Sequence, residues 1–541
     1  MGCLPLDARA EGHRLKRKWI AVALATSLLV LIGAPLIALR VLTPRIHALL
    51  LDRTRGVLQT HFASDVQLSD FSVTLAPRVT ITIEGLALRH RGRTDIPPLI
   101  QVAKVSIYSS LSNLLKRNPE VTLVRVEGLR ITMPPRVPGG PPLIHKTDQD
   151  LAAKYPVLVD QLVADDADII VLPGEPGKKP HEYPIHHLRL DQFAFDRPAT
   201  FQAILTNAVP KGEISTYGHF GPWLADDPAA TNATGQYNFS NADLGTLKGL
   251  SGILSSRGTF DGPLDYLSVN GETDTPDFSL RTADHPVSLH TDFSAIVDGT
   301  NGDTYLKSVT ARFLRTTLQV SGEVVDENRK LKSRTIELDA SSKEARVEDL
   351  IRLTTKSARP VMSGDVQLKT RILIPEGRED LVDRLLLGGR FGIAGIRFAN
   401  PSTQEKVDTL SRKGQGQPEN QDISDVISEL TGNFKMARSV LDFSDLSFGV
   451  AGAAIRLDGT YNLDTEALDF HGQLKLQAKL SQTTTGVKSF FLKAIDPFFE
   501  GKDAGTVVAI KITGTKDSPS FGLDHDHGKQ DPHAQPSGKG Q

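Results

Sequence analysis

Two histidine-rich stretches bring this chain's residue types closest to a reactive or metal-binding site. The first, HEYPIHH, carries His181, His186 and His187; the second, DHDHGKQDPH, runs over residues 524–533. A zinc hydrolase typically holds two histidines one helical turn apart, with a glutamate between them as base. That spacing is missing at His181, His186 and His187, and Pro184 breaks any helix there. A metal-assisted hydrolase on these residues is therefore set aside, and a structural or solvent-facing role is expected. The second stretch sits in a polar tail, where stray ions can bind but catalytic geometry cannot be held. The acidic pairs Asp165–Asp166 and Asp226–Asp227 read as turn and surface residues. The sequence has no G-x-S-x-G elbow, no phosphate-cradling glycine loop and no C-x-x-C pair. The expectation is a protein that is not an enzyme and needs no cofactor or metal.

The strongest pattern is instead an uncharged apolar run from Trp19 to Leu39, flanked by Lys18 and Arg40. At ~1.5 Å per helical residue, such a run spans the hydrocarbon core of a bilayer. It exceeds the apolar core of a cleaved signal peptide, and no small-x-small site follows it. Residues 19–39 are thus expected to be an uncleaved transmembrane helix. Lys16, Arg17 and Lys18 form the densest basic group beside it, which places residues 1–18 in the cytoplasm by the positive-inside rule. The only cysteine, Cys3, falls on that side, so the large remainder carries no thiol to oxidise. The net charge of −2 over 541 residues offers no basic stripe for nucleic acid. With 45 Gly, 32 Pro and only two Trp, the composition favours many short strands joined by turns.

Beyond the anchor, residues 40–62 have helical spacing, and then the apolar period changes to two. RVTITIEGLALRH alternates Val79, Ile81 and Ile83 with Thr80, Thr82 and Glu84, the mark of a strand with one wet and one dry face. Further strands are predicted over 99–108 and 121–134, with a short helix over 109–120 that Pro119 ends. The Pro/Gly run PPRVPGGPP closes a first domain, 40–134. Residues 135–190 read as linker and mixed segment, interrupted by a loop over 172–184. Residues 191–400 read as a central β-rich region with a short helix over 341–355, and 401–425 as a polar, mobile excursion. Residues 426–524 read as a C-terminal β region holding an aromatic amphipathic helix at 481–501, and 525–541 as a disordered tail. A glycine–x–aromatic pattern recurs at Gly218–Phe220, Gly235–Tyr237, Gly258–Phe260, Gly389–Phe391, Gly432–Phe434 and Gly459–Tyr461. The expectation is that each glycine supplies a turn or bulge and each aromatic starts the next strand's buried face. The irregular spacing points to successive hairpins rather than a strict solenoid.

The order of these pieces resembles the AsmA-like family of envelope proteins of diderm bacteria. The N-terminal likeness rests on the anchor followed by DVQLSDFSVTL, RVTITIEGLAL and QVAKVSIYSSLSNLLKRNPEVTLVRVEGLRITMP, with the leucine pair Leu114 and Leu115 and the step Gly128 to Ile131. The C-terminal likeness rests on LSFGVAGAAIRLDGTYNLDTEALDFHGQLKL and VVAIKITGTKDSPSFGLD, ending on Gly514, Thr515, Pro519 and Phe521. The resemblance implies a mainly β fold with a few short helices: one inner-membrane helix, then an elongated, strongly curved, mostly antiparallel sheet shaped as a groove. It implies a single-pass inner-membrane protein with its bulk in the periplasm, acting in outer-membrane biogenesis on phospholipid, with other envelope proteins as partners. The family is in turn similar, at its N-terminus, to bridge-like lipid-transfer proteins. Val79, Ile81, Ile83, Val105, Ile107, Leu123 and Val126 are the residues expected to line such a groove, if they do not instead form an ordinary packed core. The second reading is a membrane-tethered scaffold that docks envelope proteins through exposed strand edges.

Overall fold

A computed structural model describes residues 64–524 apart from 75–77, 91–96, 99, 115, 117–119, 134–157, 173–180, 195–196, 223, 225–227, 284, 327–333, 357–358, 479–505 and 517. Over these residues the chain is mainly β, with a few short helices. The expected membrane helix 19–39, the segment 40–62, the Pro/Gly linker, the aromatic helix 481–501, the tail, Cys3 and Asp226–Asp227 lie outside the described residues. Among the described residues no helix is long and apolar enough to cross a membrane. Two compact units emerge, one drawn from 1–132, 141–167 and 191–196, the other from 133–140, 168–190 and 197–541.

The first unit contains β1 (Ser64–Gln67), β2 (Asp70–Thr74), β3 (Val79–His90), β4 (Ile100–Ser109), β5 (Glu120–Glu127), β6 (Arg130–Met133) and the first part of β7 (Leu158–Val171). β3 is long enough to pair with β1 along one half and β2 along the other, while β4 pairs with its opposite edge. β5 follows antiparallel on β4, and β7 joins β5 in parallel, the one parallel pairing described. The helix expected over 109–120 is described as helical at Leu111–Leu114, where Ser110 Oγ accepts the Asn113 N–H at 3.1 Å as an N-terminal cap.

The stretch 135–190 is not simply a linker. It holds β7 and most of β8 (His181–Phe193), strands whose ends belong to different units. The second unit then continues through β9 (Ala199–Ala208), β10 (Lys211–Phe220), β11 (Asn232–Asp243), β12 (Leu250–Ser251), β13 (Ile253–Pro263), β14 (Leu267–Leu280), β15 (Val287–Val297), β16 (Thr304–Phe313) and β17 (Thr316–Val325). It is completed by β18 (Thr335–Arg346), β19 (Met362–Ile374), β20 (Leu386–Phe398), β21 (Ser428–Ala437), β22 (Val440–Val450), β23 (Ala453–Asn462), β24 (Ala467–Leu476), β25 (Thr506–Thr515) and β26 (Ser518–Leu523). From β9 onward each strand pairs antiparallel with the next, except that β11 passes directly to β13 and the two-residue β12 pairs with β14. A two-residue hairpin joins β21 to β22 through Arg438 and Ser439, whose φ values of 51° and 60° match the sheet's right-handed twist.

Two helices of this unit differ from expectation. The helix expected over 341–355 covers only Val347–Thr354, because residues up to Arg346 remain in β18. Its first-turn acids are its anchors. Asp349, 3% exposed, accepts the Arg315 N–H at 2.9 Å and the Thr316 hydroxyl at 3.0 Å. Burial pushes the Glu348 carboxyl up, but N–H groups of Glu348 and Gly364 and the Arg346 guanidinium outweigh it and hold the group below its usual range. The excursion expected over 401–425 instead opens with the helix Pro401–Gly414, capped by Asn400, whose side chain accepts the Ser402 N–H at 2.9 Å. Asp408 is buried in it and gathers the following loop by accepting the N–H groups of Asp425 at 3.1 Å and Val426 at 2.9 Å.

The sheet of the second unit bends back on itself. The helix Val347–Thr354 packs on β18 and β19 and also touches β14, from which those strands are separated by β15 to β17. Arg281, just after β14, pairs with Asp380 and, at 2.7 Å, with Asp383 on the β19–β20 connection, where the Leu381 N–H also donates to Lys248 O at 3.1 Å.

Candidate functional site

Among the described residues the histidines of the first stretch are not drawn together into a site. His186 and His187 are successive residues of β8 and so point to opposite faces, His186 bonding Thr206 Oγ1 at 2.7 Å. The residues expected to line a groove fare differently. In the first unit the registers align Val73, Ile81, Ile107, Val124 and Leu162 in one row across five strands, β2 to β5 and β7. A second row on the same face holds Phe71, Ile83, Val105, Val126 and Ala164. Between them, facing the other way, run Ser72, Thr82, Ser106, Arg125 and Val163. Val79 shares the apolar face and is buried at 5%.

Leu123 does not belong there. It pairs with Tyr108 and Gln161 on the opposite face, and Val124 occupies the expected place. Leu123 and Val126 are three residues apart, which a strand of period two cannot put on one face. The apolar face is only partly covered: Phe71, Val126 and Ala164 are buried, Val73 is 40% exposed, and the others are half-buried.

The second unit repeats this arrangement on a larger scale. One register row runs unbroken across every strand from β9 to β26 except β12. It begins Ala203–Thr216–Tyr237–Gly258–Gly271–Phe293, continues Val309–Val320–Ala340–Thr370–Gly389 and ends Phe434–Phe443–Gly459–Phe470–Ile512–Phe521. A neighbouring row on the same face runs Phe201–Gly218–Gly235–Phe260–Val269–Ala295, Leu306–Gly322–Leu338–Ile372–Leu387 and Met436–Leu441–Tyr461–Leu468–Gly514–Pro519. Neither row contains a charge. The opposite face carries Asn238, Arg257, Glu272, Asp292, Thr310, Gln319, Ser341, Lys369, Arg390 and Asn433 in one register row. At ~4.8 Å per strand step, the apolar track is on the order of 75 Å long if followed along its curve.

The recurring glycines sit in the middle of strands, not at turns as expected. Gly235, Gly258, Gly389, Gly432 and Gly459 all have negative or extended φ, and each lies beside an aromatic or backbone of the neighbouring strand. A Cβ on Gly235 would meet the Phe260 ring at 3.0 Å, and one on Gly459 the Phe470 ring at 2.8 Å. Glycine and aromatic therefore alternate along each strand and are staggered between strands, so that rings lie down over bare backbone. The rings also meet one another: Phe443 has its centroid 5.9 Å from Phe470 and 6.2 Å from Phe391.

Along the first row only Ala203, Ala340, Thr370 and Phe470 are buried, Phe521 is 41% exposed, and the rest are half-buried. Among the described residues, packed clusters form around Ala345, Val366, Ile393 and Ile396 under the helix Val347–Thr354, and around Leu457, Phe470, Val508 and Ile510. Elsewhere a long apolar face stands partly open to water, a costly arrangement at about 25 cal/mol per Å².

Among the described residues, one set able to hold a cation lies on the polar face, Glu272, His290 and Asp292 on β14 and β15. Its charges are already matched. Arg257 pairs with Glu272, Arg312 with Asp292, and His290 bonds Asp274 at 2.7 Å, which raises the imidazole's pKa. A second histidine, His471, bonds Asp524 at 2.7 Å and Asp469 at 3.1 Å; Asp524 above all raises its pKa. These are ion-pair stitches across strands. No protein-family model, curated protein or solved structure matches the chain.

Proposed function

We propose that this chain is a non-catalytic lipid-handling protein of the AsmA-like type, in which an elongated apolar β groove holds or passes phospholipid acyl chains. The observation that carries the reading is the pair of uncharged, half-buried rows crossing β9 to β26, with polar residues on the reverse face. A face of that length and polarity is stable in water only when something apolar shares it. Acyl chains fit because they are narrow, flexible and indifferent to which aliphatic or aromatic side chain they touch. Binding of this kind requires no nucleophile and no metal. The apolar run 19–39 would fix the chain in the inner membrane with its bulk in the periplasm, where it serves envelope biogenesis together with partner proteins.

The test is lipid mass spectrometry on the full chain purified in detergent and exchanged into lipid-free buffer. Two variants go alongside, Ile83→Asp with Val105→Asp in the first unit and Leu338→Asp with Ile372→Asp in the second. Co-purifying phospholipid in the parent, reduced in a variant that keeps its β-sheet circular dichroism, supports the reading. A folded, lipid-free parent refutes it and favours a scaffold docking its partners along the edge of β26, whose residues Ser518–Phe521 are exposed.

A further inference from the structure

We propose that the inner face of the second unit contains a recognition point for a neutral carbonyl, the ester that joins an acyl chain to its headgroup. It is formed by Tyr237, Ser256, Thr273 and Thr291. The inference rests on the lipid reading above and adds to it a place where the ligand's polar joint is seated.

A third register row on the apolar face runs from Phe239 through Ser256, Thr273 and Thr291 to Ala311, on β11 and β13 to β16. Three hydroxyls thus stand side by side on three adjacent strands, bounded by apolar residues at both ends. Tyr237 adds a fourth from the neighbouring row. Its ring is fixed by the glycine pair Gly258 and Gly271: a Cβ on the first would meet Tyr237 Cε1 at 2.9 Å, and one on the second would meet Tyr237 Oη at 2.6 Å. The phenol therefore lies across bare backbone and brings its oxygen to 3.1 Å from Ser256 Oγ.

Counting protons shows what this patch lacks. Ser256 gives its proton to Glu272 O at 2.9 Å, so Tyr237 donates to Ser256. Thr273 and Thr291 share one hydrogen bond at 2.7 Å, which uses one of their two protons. Among the described residues no acceptor takes the second. Elsewhere on this face hydroxyls are satisfied by the main chain: Ser342 donates to Thr317 O at 2.7 Å and Thr370 to Gly388 O at 3.2 Å. Thr273, Thr291 and Tyr237 are also only half-buried, so an incoming group can reach them. The free donor is neutral, and the titratable residues flanking these hydroxyls along their strands, Arg257, Glu272, Asp274, His290 and Asp292, belong to the reverse face. A phosphate would find no countercharge here, whereas a carbonyl oxygen needs only the one proton.

The experiment compares two probes with the same chains and headgroup, diester and diether phosphatidylglycerol, competing for the full chain in detergent. The variant Thr273→Val with Thr291→Val keeps side-chain volume and strand preference while removing the donor. The parent is expected to prefer the diester by roughly two- to twelvefold, the range of one neutral hydrogen bond. The variant should bring the two probes to parity by weakening the diester alone. Equal binding of both probes by the parent overturns the carbonyl site while leaving lipid binding intact. A preference that survives in the variant also overturns it, because the carbonyl is then read elsewhere. Binding of neither probe by the parent overturns the lipid reading itself.

Discussion

Gly388 and Gly389 are neighbours on β20, yet the structure assigns them opposite responses to alanine. At Gly388 an added Cβ meets nothing within 4 Å. At Gly389 it would lie 2.8 Å from Thr370 Cα and closer still to Lys369 O, so β19 and β20 must part by several tenths of an ångström. Replacing glycine by alanine in an extended segment ordinarily stabilises by ~0.4–1 kcal/mol, because the unfolded chain loses freedom. Gly388→Ala should show that gain or no change. For Gly389→Ala the forced separation adds an overpacking cost of about 1–3 kcal/mol, which reverses the sign. The assay is amide hydrogen exchange read by mass spectrometry on β19 and β20, a local measure suited to a chain of two units. Since ~1.36 kcal/mol is tenfold and the ~0.4–1 kcal/mol gain offsets part of the cost, protection around Thr370 should fall by up to roughly 80-fold in Gly389→Ala and hold or rise in Gly388→Ala. Equal effects of the two substitutions, or a gain at Gly389, would show that the close backbone approach at Gly389 does not set the spacing of β19 and β20.

Three other outcomes follow from named contacts. Asp349→Ala leaves the buried Thr316 hydroxyl and the Arg315 N–H without their acceptor and should cost about 1–3 kcal/mol, seen as faster exchange of the helix Val347–Thr354. Asp408→Ala should loosen residues 425–426 by a similar ~1–3 kcal/mol and raise their proteolysis, with β9 to β18 unchanged. His471 has a raised pKa from Asp524 first, with Asp469 adding to it; Asp458 and Lys511 face it from the neighbouring strands. A raised value means the folded state favours the imidazolium, so this contribution is complete below the ordinary histidine value of ~6.5 and is lost as pH rises through the raised one. Protection of β25 and β26, corrected for intrinsic exchange, should decline across that window, and His471→Gln should flatten the decline.

The strands of the first unit are legible because RVTITIEGLALRH alternates cleanly, and the registers put Ile81, Ile83, Val105 and Ile107 on one face. β5 is not, because TLVRVE carries apolar residues in both phases and composition alone cannot choose between Leu123 and Val124; the registers with β4 and β7 make the choice. The glycines were legible as a pattern but not as a role. Their place in mid-strand depends on which aromatic lies opposite, as Phe470 does opposite Gly459, and that partner is set by pairing rather than by local sequence. The helix Pro401–Gly414 hides because much of its buried side is polar or small: Asp408, Ser411 and Gly414 beside Val407. The signal that could have found it is Asn400 followed by Pro401, a cap and a first-turn proline. The hydroxyl cluster was out of reach, since Ser256, Thr273 and Thr291 become neighbours only through register.

Because each strand from β15 onward pairs only with the strands beside it in the chain, this part of the second unit behaves as a line of links. Its stability should accumulate link by link, and hairpins can form in the order in which the chain is made. The same property makes the track a ruler. Adding or removing a whole hairpin would change its length by roughly 10 Å while leaving every other residue on its original face, since register is inherited from one neighbour to the next. Losing a single strand would instead reverse the direction of everything after it. Length variation in this architecture is therefore constrained to come in steps of two.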